Sequence, residues 1–178
     1  MSKGLRQAAF PWDAARARPV EAELPLEIRS AWGAYLLEDA PEGLRVTVEA
    51  PTLARLFVDG ARAMGEQLGE PSLGRERAPG EARQLSVIAA NADQLMAAWL
   101  GELLHCARQS RRWFSAIAVS RISPAHLRAE LGADQEMRWL VDPTSIAIVE
   151  SRVATLAHPI ARRFVARIRF TKTFAAAR

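Results

Sequence analysis

The sequence predicts an α+β fold, a two-layer sandwich in which two amphipathic helices pack on a mainly antiparallel or mixed β-sheet. Two helical patterns each carry a single apolar stripe, and such a stripe needs a sheet face or another helix to cover it. The predicted order is strand, helix, strand, helix and then several strands. This late run of strands argues against a doubly wound parallel sheet, in which strands and helices alternate.

The bulk composition is typical of one globular domain with a hydrophobic core, since the chain has 178 residues. Residues 1–29 mix proline, alanine and charge without a period, so we expect a loosely structured N-terminal arm. The α+β domain is then expected over residues 30–178. The 24 Lys and Arg residues exceed the 20 Asp and Glu residues by four, a mild excess that suits an acidic or nucleic-acid partner.

The cellular compartment is predicted from cysteine usage and from hydropathy. Cys106 is the single cysteine, which excludes a disulfide within the chain and fits a reducing compartment. The N-terminus lacks the apolar core of a signal peptide, and no stretch approaches the roughly 18 apolar residues that a membrane helix needs. We therefore expect a cytoplasmic protein without a membrane partner.

The first predicted strand and helix follow one another directly. Residues 44–48 alternate apolar and polar side chains, as a half-buried strand does. Thr52 is the expected N-cap of the first helix, and Gly69 can end it. Residues 71–80 are rich in glycine, proline and charge and are expected to form a loop. The apolar stripe of this helix consists of Leu53, Leu56, Phe57, Ala61, Met64 and Leu68.

The second helix contains a candidate functional carboxylate, that of Glu102. It follows a short predicted strand over residues 85–88, and either Asn91 or Asp93 can cap it. Glu102 sits inside its apolar run. Because charges are almost never buried without a partner, Glu102 either lies at the edge of the stripe or meets a cation or metal. The apolar run consists of Leu95, Met96, Trp99, Leu100, Leu103 and Leu104.

The remaining elements are predicted strands. Residues 114–122 and 125–131 form two strands that break at Ser123-Pro124, and residues 132–136 form a polar turn. Residues 146–156 and 163–171 form two more. In the last strand Phe164, Ala166, Ile168 and Phe170 share one face, and Val165, Arg167, Arg169 and Thr171 share the other. The face with Arg167 and Arg169 is either a solvated strand face or a surface for RNA phosphates, which arginine suits.

The common catalytic motifs are absent from the sequence. It has no phosphate-binding Gly-x-x-x-x-Gly-Lys loop, no Gly-x-Gly-x-x-Gly, no Cys and His cluster with zinc spacing and no Gly-x-Ser-x-Gly elbow. The three histidines are far apart in the sequence. Cys106 follows the apolar face of the second helix and is expected to be packed rather than nucleophilic. The sequence therefore does not support an independent enzyme.

A family resemblance runs from about residue 35 to residue 171, and five strings carry it in order. They are Thr52-Leu-Ala-Arg-Leu-Phe57, Trp99-Leu-Gly-Glu-Leu-Leu104, Asp142-Pro143, Glu150-Ser-Arg-Val-Ala-Thr155 and Phe164-Val-Ala-Arg-Ile-Arg-Phe170. They resemble strings of the archease family: Thr-Leu-x-x-Leu-Phe, Trp-Leu-x-Glu-Leu-Leu, the Asp-Pro before the penultimate strand, Glu-Val-Lys-Ala-Val-Thr, and the last strand Trp-Arg-Ala-Arg-Val-x-Phe.

The resemblance implies an accessory role in RNA end-joining. Archeases activate the tRNA-splicing RNA ligase that works through a guanylylated histidine, and no archease is a complete enzyme. The resemblance thus implies that this protein is a chaperone-like cofactor of an RNA ligase in tRNA processing or RNA repair. Direct contact with RNA is a further expectation. The alternative is an RNA-binding or scaffold protein that kept the fold and lost the ligase role. The third possibility is a small independent enzyme.

The resemblance also implies a metal site of carboxylates near the chain ends, from which this sequence departs. Asp39-Ala-Pro-Glu42-Gly43 stands in place of His-Thr-Ala-Asp-Val-Gly and is one residue shorter, so Glu42 replaces the family Asp and Asp39 lies nearby. Thr171 replaces the family Asp of the last strand. A hard cation such as calcium wants several carboxylate oxygens, so we expect a divalent cation to bind weakly or not at all.

Three further positions correspond to residues of the family site. Glu102 matches the family Glu, Arg152 replaces the family Lys, and His158 lies one position after Ala157, where the family has a His. Arginine keeps the positive charge but carries it on a planar fork. We therefore expect Arg152 to pair directly with Glu102 or Glu42, where family members use a metal.

Overall fold

The computed structural model describes residues 26–30, 33–40, 43–71, 82–157 and 162–172. These residues form two helices and nine strands, and every strand pair among them is antiparallel. The predicted α+β sandwich, with two helices on a mainly antiparallel sheet, is confirmed. Within the described ranges, no helix is long and apolar enough to cross a membrane.

The elements follow the predicted order, with two additional strands at the start and a further short strand after the first helix. The helices are α1 (Leu53–Leu68) and α2 (Ala92–Ser110). The strands are β1 (Leu26–Ser30), β2 (Gly33–Ala40), β3 (Gly43–Ala50), β4 (Gly69–Pro71), β5 (Arg83–Ile88), β6 (Arg112–Ser123), β7 (His126–Trp139), β8 (Ile146–Ala157) and β9 (Arg162–Lys172). A short 3-10 turn, Pro143–Ser145, leads into β8.

The strands divide into two sheets. The first sheet has the order β1-β2-β3-β9-β8, so the last strand lies in its interior and β8 forms one edge. In the second sheet, β7 pairs with β4, β5 and β6. Side chains from both sheets and both helices meet in one hydrophobic core. Its largest fully buried side chains include Leu56, Phe57, Met64, Leu95, Met96, Trp99, Leu127, Leu131 and Ile168.

Helix α1 begins and ends where the sequence predicts. The Thr52 side chain accepts a hydrogen bond of 3.1 Å from the backbone N–H of Arg55, and Gly69 follows the last helical residue. Two glycines let other elements approach the helix closely. Gly60 lies against Met96 and Ile168, while a Cβ atom on Gly65 would overlap the Trp113 ring of β6. Helix α1 therefore contacts α2 and both sheets.

Helix α2 is capped by Asn91, the first of the two predicted caps. Its side chain accepts a hydrogen bond of 2.9 Å from the backbone N–H of Gln94. At the centre of the helix, the buried indole N–H of Trp99 donates to the carbonyl of Phe57 at 3.1 Å. This bond joins α2 to α1 in the core.

Three sequence predictions need correction. Residues 26–29, assigned to the N-terminal arm, belong to β1, which pairs with β2; residues 1–25 lie outside the described ranges. Residues 132–136, predicted as a polar turn, continue β7. Arg112 of β6 pairs with Glu136, so a long partner strand extends the ladder through locally polar residues. Of the predicted loop, Pro71 belongs to β4 and residues 72–80 lie outside the described ranges.

Candidate functional site

Glu102 lies on the surface of α2, at the edge of the buried stripe. Its side chain is exposed, whereas the next two residues, Leu103 and Leu104, are buried. The sequence allows Glu102 either to lie at the edge of the apolar stripe or to meet a cation or metal, and the structure places it at the edge. Within the part of the chain that the structure describes, no ion pair or hydrogen bond engages its carboxylate. Glu102 thus presents a negative charge on a rigid element.

Asp93 occupies the opposite border of the same stripe. It precedes Glu102 by nine residues, which is two and a half turns at 3.6 residues per turn. The two carboxylates therefore point away from each other across the helix. Asp93 faces β8: its Oδ1 accepts a hydrogen bond of 2.7 Å from the backbone N–H of Val153.

The side chain of Arg152 bridges α2 and β8 by pairing with Asp93 and Glu150. Its Nη1 lies 3.5 Å from Asp93 Oδ2, and its Nε donates to Glu150 Oε1 at 3.1 Å. The hydrogen bond and charge of Glu150, together with the charge of Asp93, raise the pKa of the Arg152 guanidinium. Of the two expected partners of Arg152, Glu102 is wrong, because it lies on the side of α2 away from Asp93. The other, Glu42, lies outside the described residues.

Asp93 is the residue whose role the sequence analysis missed. An edge strand leaves backbone N–H groups unpaired, and proteins cover them with other elements. Here the start of α2 covers part of the β8 edge: Asp93 accepts from Val153, and the Ser151 hydroxyl donates to the Asp93 carbonyl. An acidic residue in the first turn of a helix is usually explained by its favourable interaction with the helix dipole. The sequence therefore did not indicate that Asp93 also binds β8.

The predicted metal site falls largely outside the described residues. Glu42 and His158 lie in undescribed segments, and Asp39 is described only as part of the backbone of β2. The structure does place Gly43 next to the last strand, against the backbone of Phe170 and Thr171. Across the described ranges, no group of three or more His, Cys, Asp or Glu side chains could hold a metal ion. Metal binding at Asp39 and Glu42 stays a prediction.

Among the described side chains, the outer face of the first sheet carries five arginines, which together are called the arginine face. Arg167 and Arg169 share this side of β9 with Val165 and Thr171, as the alternation predicts, and the opposite side faces the core. Arg167 is exposed and Arg169 is half-buried. The arginine face consists of Arg45 on β3, Arg163, Arg167 and Arg169 on β9, and Arg152 on β8.

The two described histidines, His105 and His126, bond to residues outside this group. Cys106 is buried, as the sequence predicts. His105 bonds Gln109 on the same helix, at 2.9 Å. His126 bonds the exposed Ser86 hydroxyl on the second sheet, at 3.1 Å.

Comparison with known proteins gives no family for this chain. No protein-family model matches it, and no curated protein sequence matches it. A functional assignment therefore depends on the fold, on the resemblance of its local strings and on the chemistry of the described side chains.

Proposed function

We propose that this protein is a cytoplasmic, archease-like accessory protein that activates an RNA ligase or supports its turnover. The RNA ligase protein is its partner, and the process is RNA end-joining, in tRNA splicing or RNA repair. The protein itself is not an enzyme in this proposal. The observation that carries it is that the strings resembling the archease family occupy the elements that the resemblance implies.

The positions of the strings in the fold support the proposal. Residues 52–57 form the cap and first turn of α1, and residues 99–104 lie in the middle of α2. Asp142-Pro143 immediately precedes β8, the penultimate described strand, and residues 164–170 lie within β9, the last one. The strings at 52–57 and 142–143 thus lie at the starts of the elements that the resemblance implies, and the string at 164–170 lies inside the last described strand.

Glu102 is the residue that we propose to act on the partner. Its backbone is fixed because Leu103 and Leu104 beside it are buried, while its own carboxylate is exposed. A charge held on a helix is positioned more accurately than one on a loop. The carboxylate is thus available to a cationic group of the ligase, or to a cationic group that bridges the two proteins.

Arg152 has a supporting part in this proposal. Its ion pairs with Asp93 and Glu150 tie the start of α2 to the edge of the first sheet. Arg152 thereby orients the helix that carries Glu102, without contacting Glu102 itself. The resemblance places a divalent cation such as calcium at Asp39 and Glu42, and Thr171 supplies no carboxylate to it. We therefore propose activation that does not require a tightly held cation.

The test is joining of RNA ends by a purified RNA ligase in limiting amount. We expect this protein to increase the product formed per ligase molecule, and we expect no product from this protein alone. Unchanged turnover with several RNA ligases and a folded sample would reject the accessory role. Product from this protein without ligase would identify an enzyme instead.

A second candidate function is favoured by the arginine face. It is an RNA-binding or scaffold protein that has the same fold and does not activate a ligase. This candidate predicts salt-dependent RNA binding without any effect on ligase turnover. The ligation assay and an RNA-binding assay together separate the two candidates.

A further inference from the structure

The outer face of the second sheet contains two arginines that lie directly opposite each other. Arg121 of β6 is the register partner of Arg128 of β7, and both residues are exposed. Directly opposed residues on one sheet face have Cβ atoms about 4.5–5.5 Å apart, and like charges in such a pair are destabilising. Among the described residues, no carboxylate forms an ion pair with either guanidinium. The pair therefore leaves two adjacent positive charges unbalanced.

A β-bulge puts Arg121 on this face. Val119 is opposite Ala129 and Arg121 is opposite Arg128, so Ser120 is the extra residue of β6. Because successive side chains of a regular strand point to opposite faces, Arg121 would otherwise share the inner face with Val119, which packs against the core. The Ser120 hydroxyl donates to the Arg128 carbonyl at 3.2 Å, which holds the bulge at this position. The bulge thus brings the two guanidinium groups to the same face.

The side chains that contact or flank Arg128 are polar and uncharged or imidazole groups. The Arg128 Nη2 donates to Gln84 Oε1 at 2.7 Å, a bond that orients the guanidinium without neutralising it. Ser86 is the register partner of Arg128 on β5, and its Oγ lies 3.1 Å from Nε2 of His126. A hydroxyl and an imidazole can both donate hydrogen bonds to an oxyanion. Two further donor groups therefore lie beside the arginine pair.

The borders of this patch limit the size of a ligand. Glu130 follows Arg128 by two residues on the same face, so a carboxylate borders the patch about 7 Å along the strand. In the other direction, β6 and β7 end at their hairpin turn, at residues 124–125. There Ile88, opposite His126, is 79% exposed and adds an apolar side chain. The patch therefore fits one small anion better than a long polyanion.

We infer that Arg121, Arg128, Ser86 and His126 form a binding site for a phosphate monoester or inorganic phosphate. Arginine presents a planar fork of donors that fits phosphate oxygens, and an anion between opposed arginines relieves their repulsion. A terminal phosphate carries about 1.5 to 2 negative charges at pH 7, which two guanidinium groups balance. A phosphodiester carries only one. The inference does not depend on the proposed role toward an RNA ligase.

The experiment is isothermal titration calorimetry of the full-length chain with inorganic phosphate, adenosine monophosphate and adenosine, without any ligase. We expect saturable binding of the two phosphates and none of adenosine. Tighter binding of the nucleotide than of inorganic phosphate would support the site and identify a nucleotide as the source of the phosphate. Equal binding would support the site and identify phosphate alone as sufficient. The absence of saturable phosphate binding would overturn the inference.

The variant Arg121→Gln/Arg128→Gln is expected to bind inorganic phosphate about tenfold more weakly, because it lacks both charged donors. The matched control is Arg45→Gln/Arg163→Gln. It removes the same charge from the outer face of the first sheet, where each arginine lies 3.8 Å from a glutamate carboxylate. The control is expected to bind phosphate like the unaltered protein. Equal weakening by the two double variants would show that only net charge matters, and would reject the site.

A third variant protects the test against misfolding. Gln84→Glu leaves both arginines in place and puts a carboxylate where Arg128 now donates to an amide oxygen. We expect this carboxylate to compete with phosphate for Arg128 and to weaken phosphate binding several-fold. The thermal unfolding temperature should stay the same or rise, because the new ion pair replaces a neutral hydrogen bond. Unchanged phosphate affinity in this folded variant would contradict the inference.

The outcomes for this inference and for the proposed function are separable. Phosphate binding that depends on Arg121 and Arg128, without any effect on ligase turnover, would support the inference and reject the accessory role. Ligase activation that depends on Glu102, with no phosphate binding by this protein alone, would do the reverse.

Discussion

The carboxylate of Asp93 accepts a hydrogen bond of 2.7 Å from the backbone N–H of Val153, and so joins the first turn of α2 to the edge strand β8. The Ser151 hydroxyl donates to the backbone carbonyl of the same aspartate, and Arg152 pairs with its carboxylate. Consecutive residues of β8 thereby all bind this one aspartate. This arrangement fixes the helix that carries Glu102 relative to the first sheet.

Replacing Asp93 with alanine is expected to lower the free energy of unfolding by about 1–3 kcal/mol, because the Val153 N–H loses its acceptor in a partly buried place. Chemical denaturation measures the change. Gln94→Ala, one residue along on the exposed side of the same turn, is the control and should change stability little. Equal stabilities for the two variants would show that the bond to the strand edge contributes nothing.

Two glycines in helices should respond to alanine in opposite directions. Gly65→Ala places a methyl group into the Trp113 ring, so we expect a loss of about 1–3 kcal/mol in the free energy of unfolding. Gly101 has open space around the position of a Cβ atom, so Gly101→Ala should stabilise α2 by about 0.5–1 kcal/mol. Thermal unfolding of both variants checks the prediction, and a shift of the same sign in both would contradict it.

Replacing Trp99 with phenylalanine removes the hydrogen bond between the helices together with part of a buried ring. Trp99→Phe leaves the buried Phe57 carbonyl without the indole donor, at an expected cost of about 1–3 kcal/mol in addition to the loss of ring volume. Trp139→Phe is the comparison, because its indole donates to the Arg111 carbonyl at 3.3 Å in an exposed place. Denaturation midpoints should fall clearly further for Trp99→Phe than for Trp139→Phe.

The turn before β8 should contribute a pH-dependent part of the stability. The backbone N–H of Thr144 donates to the Asp142 carboxylate at 2.9 Å and, with the charges of Arg111 and Arg108, holds the pKa of that carboxyl below its ordinary 3.8. A carboxyl whose pKa is depressed in the folded state stabilises above about pH 4 and loses this contribution as the pH falls through the folded-state pKa. The stability difference between the unaltered chain and Asp142→Asn should therefore shrink on acidification. A difference independent of pH would contradict the assignment.

The two helices and the last strand were predictable because each carries a strong periodic signal with clear boundaries. Thr52 and Asn91 are good caps that precede apolar stripes, and residues 163–171 alternate without a break. The C-terminal half of β7 was missed because residues 134–136 are polar, and pairing with β6 and β4 keeps this half extended. The short strand β4 likewise exists only as a partner of β7.

The candidate site was less predictable than the fold. The shared face of Arg167 and Arg169 follows from strand alternation, whereas the sequence left two possibilities for Glu102, the edge of its stripe or contact with a cation or metal. The partner of Arg152 did not follow, because Asp93 and Glu102 both flank the apolar stripe in sequence. Only the packing of α2 on β8 decides which border of the helix meets the strand.

The measurement that tests the accessory role most directly compares Glu102→Gln with Glu130→Gln in multiple-turnover RNA ligation by a limiting amount of ligase. Both glutamates are exposed, one on α2 and the other on β7, so each substitution removes one surface charge without disturbing the core. The proposed function predicts acceleration by the unaltered protein and by Glu130→Gln, and its loss with Glu102→Gln. Equal acceleration by all three proteins would contradict the role of Glu102, and no acceleration by any of them would contradict the accessory function itself.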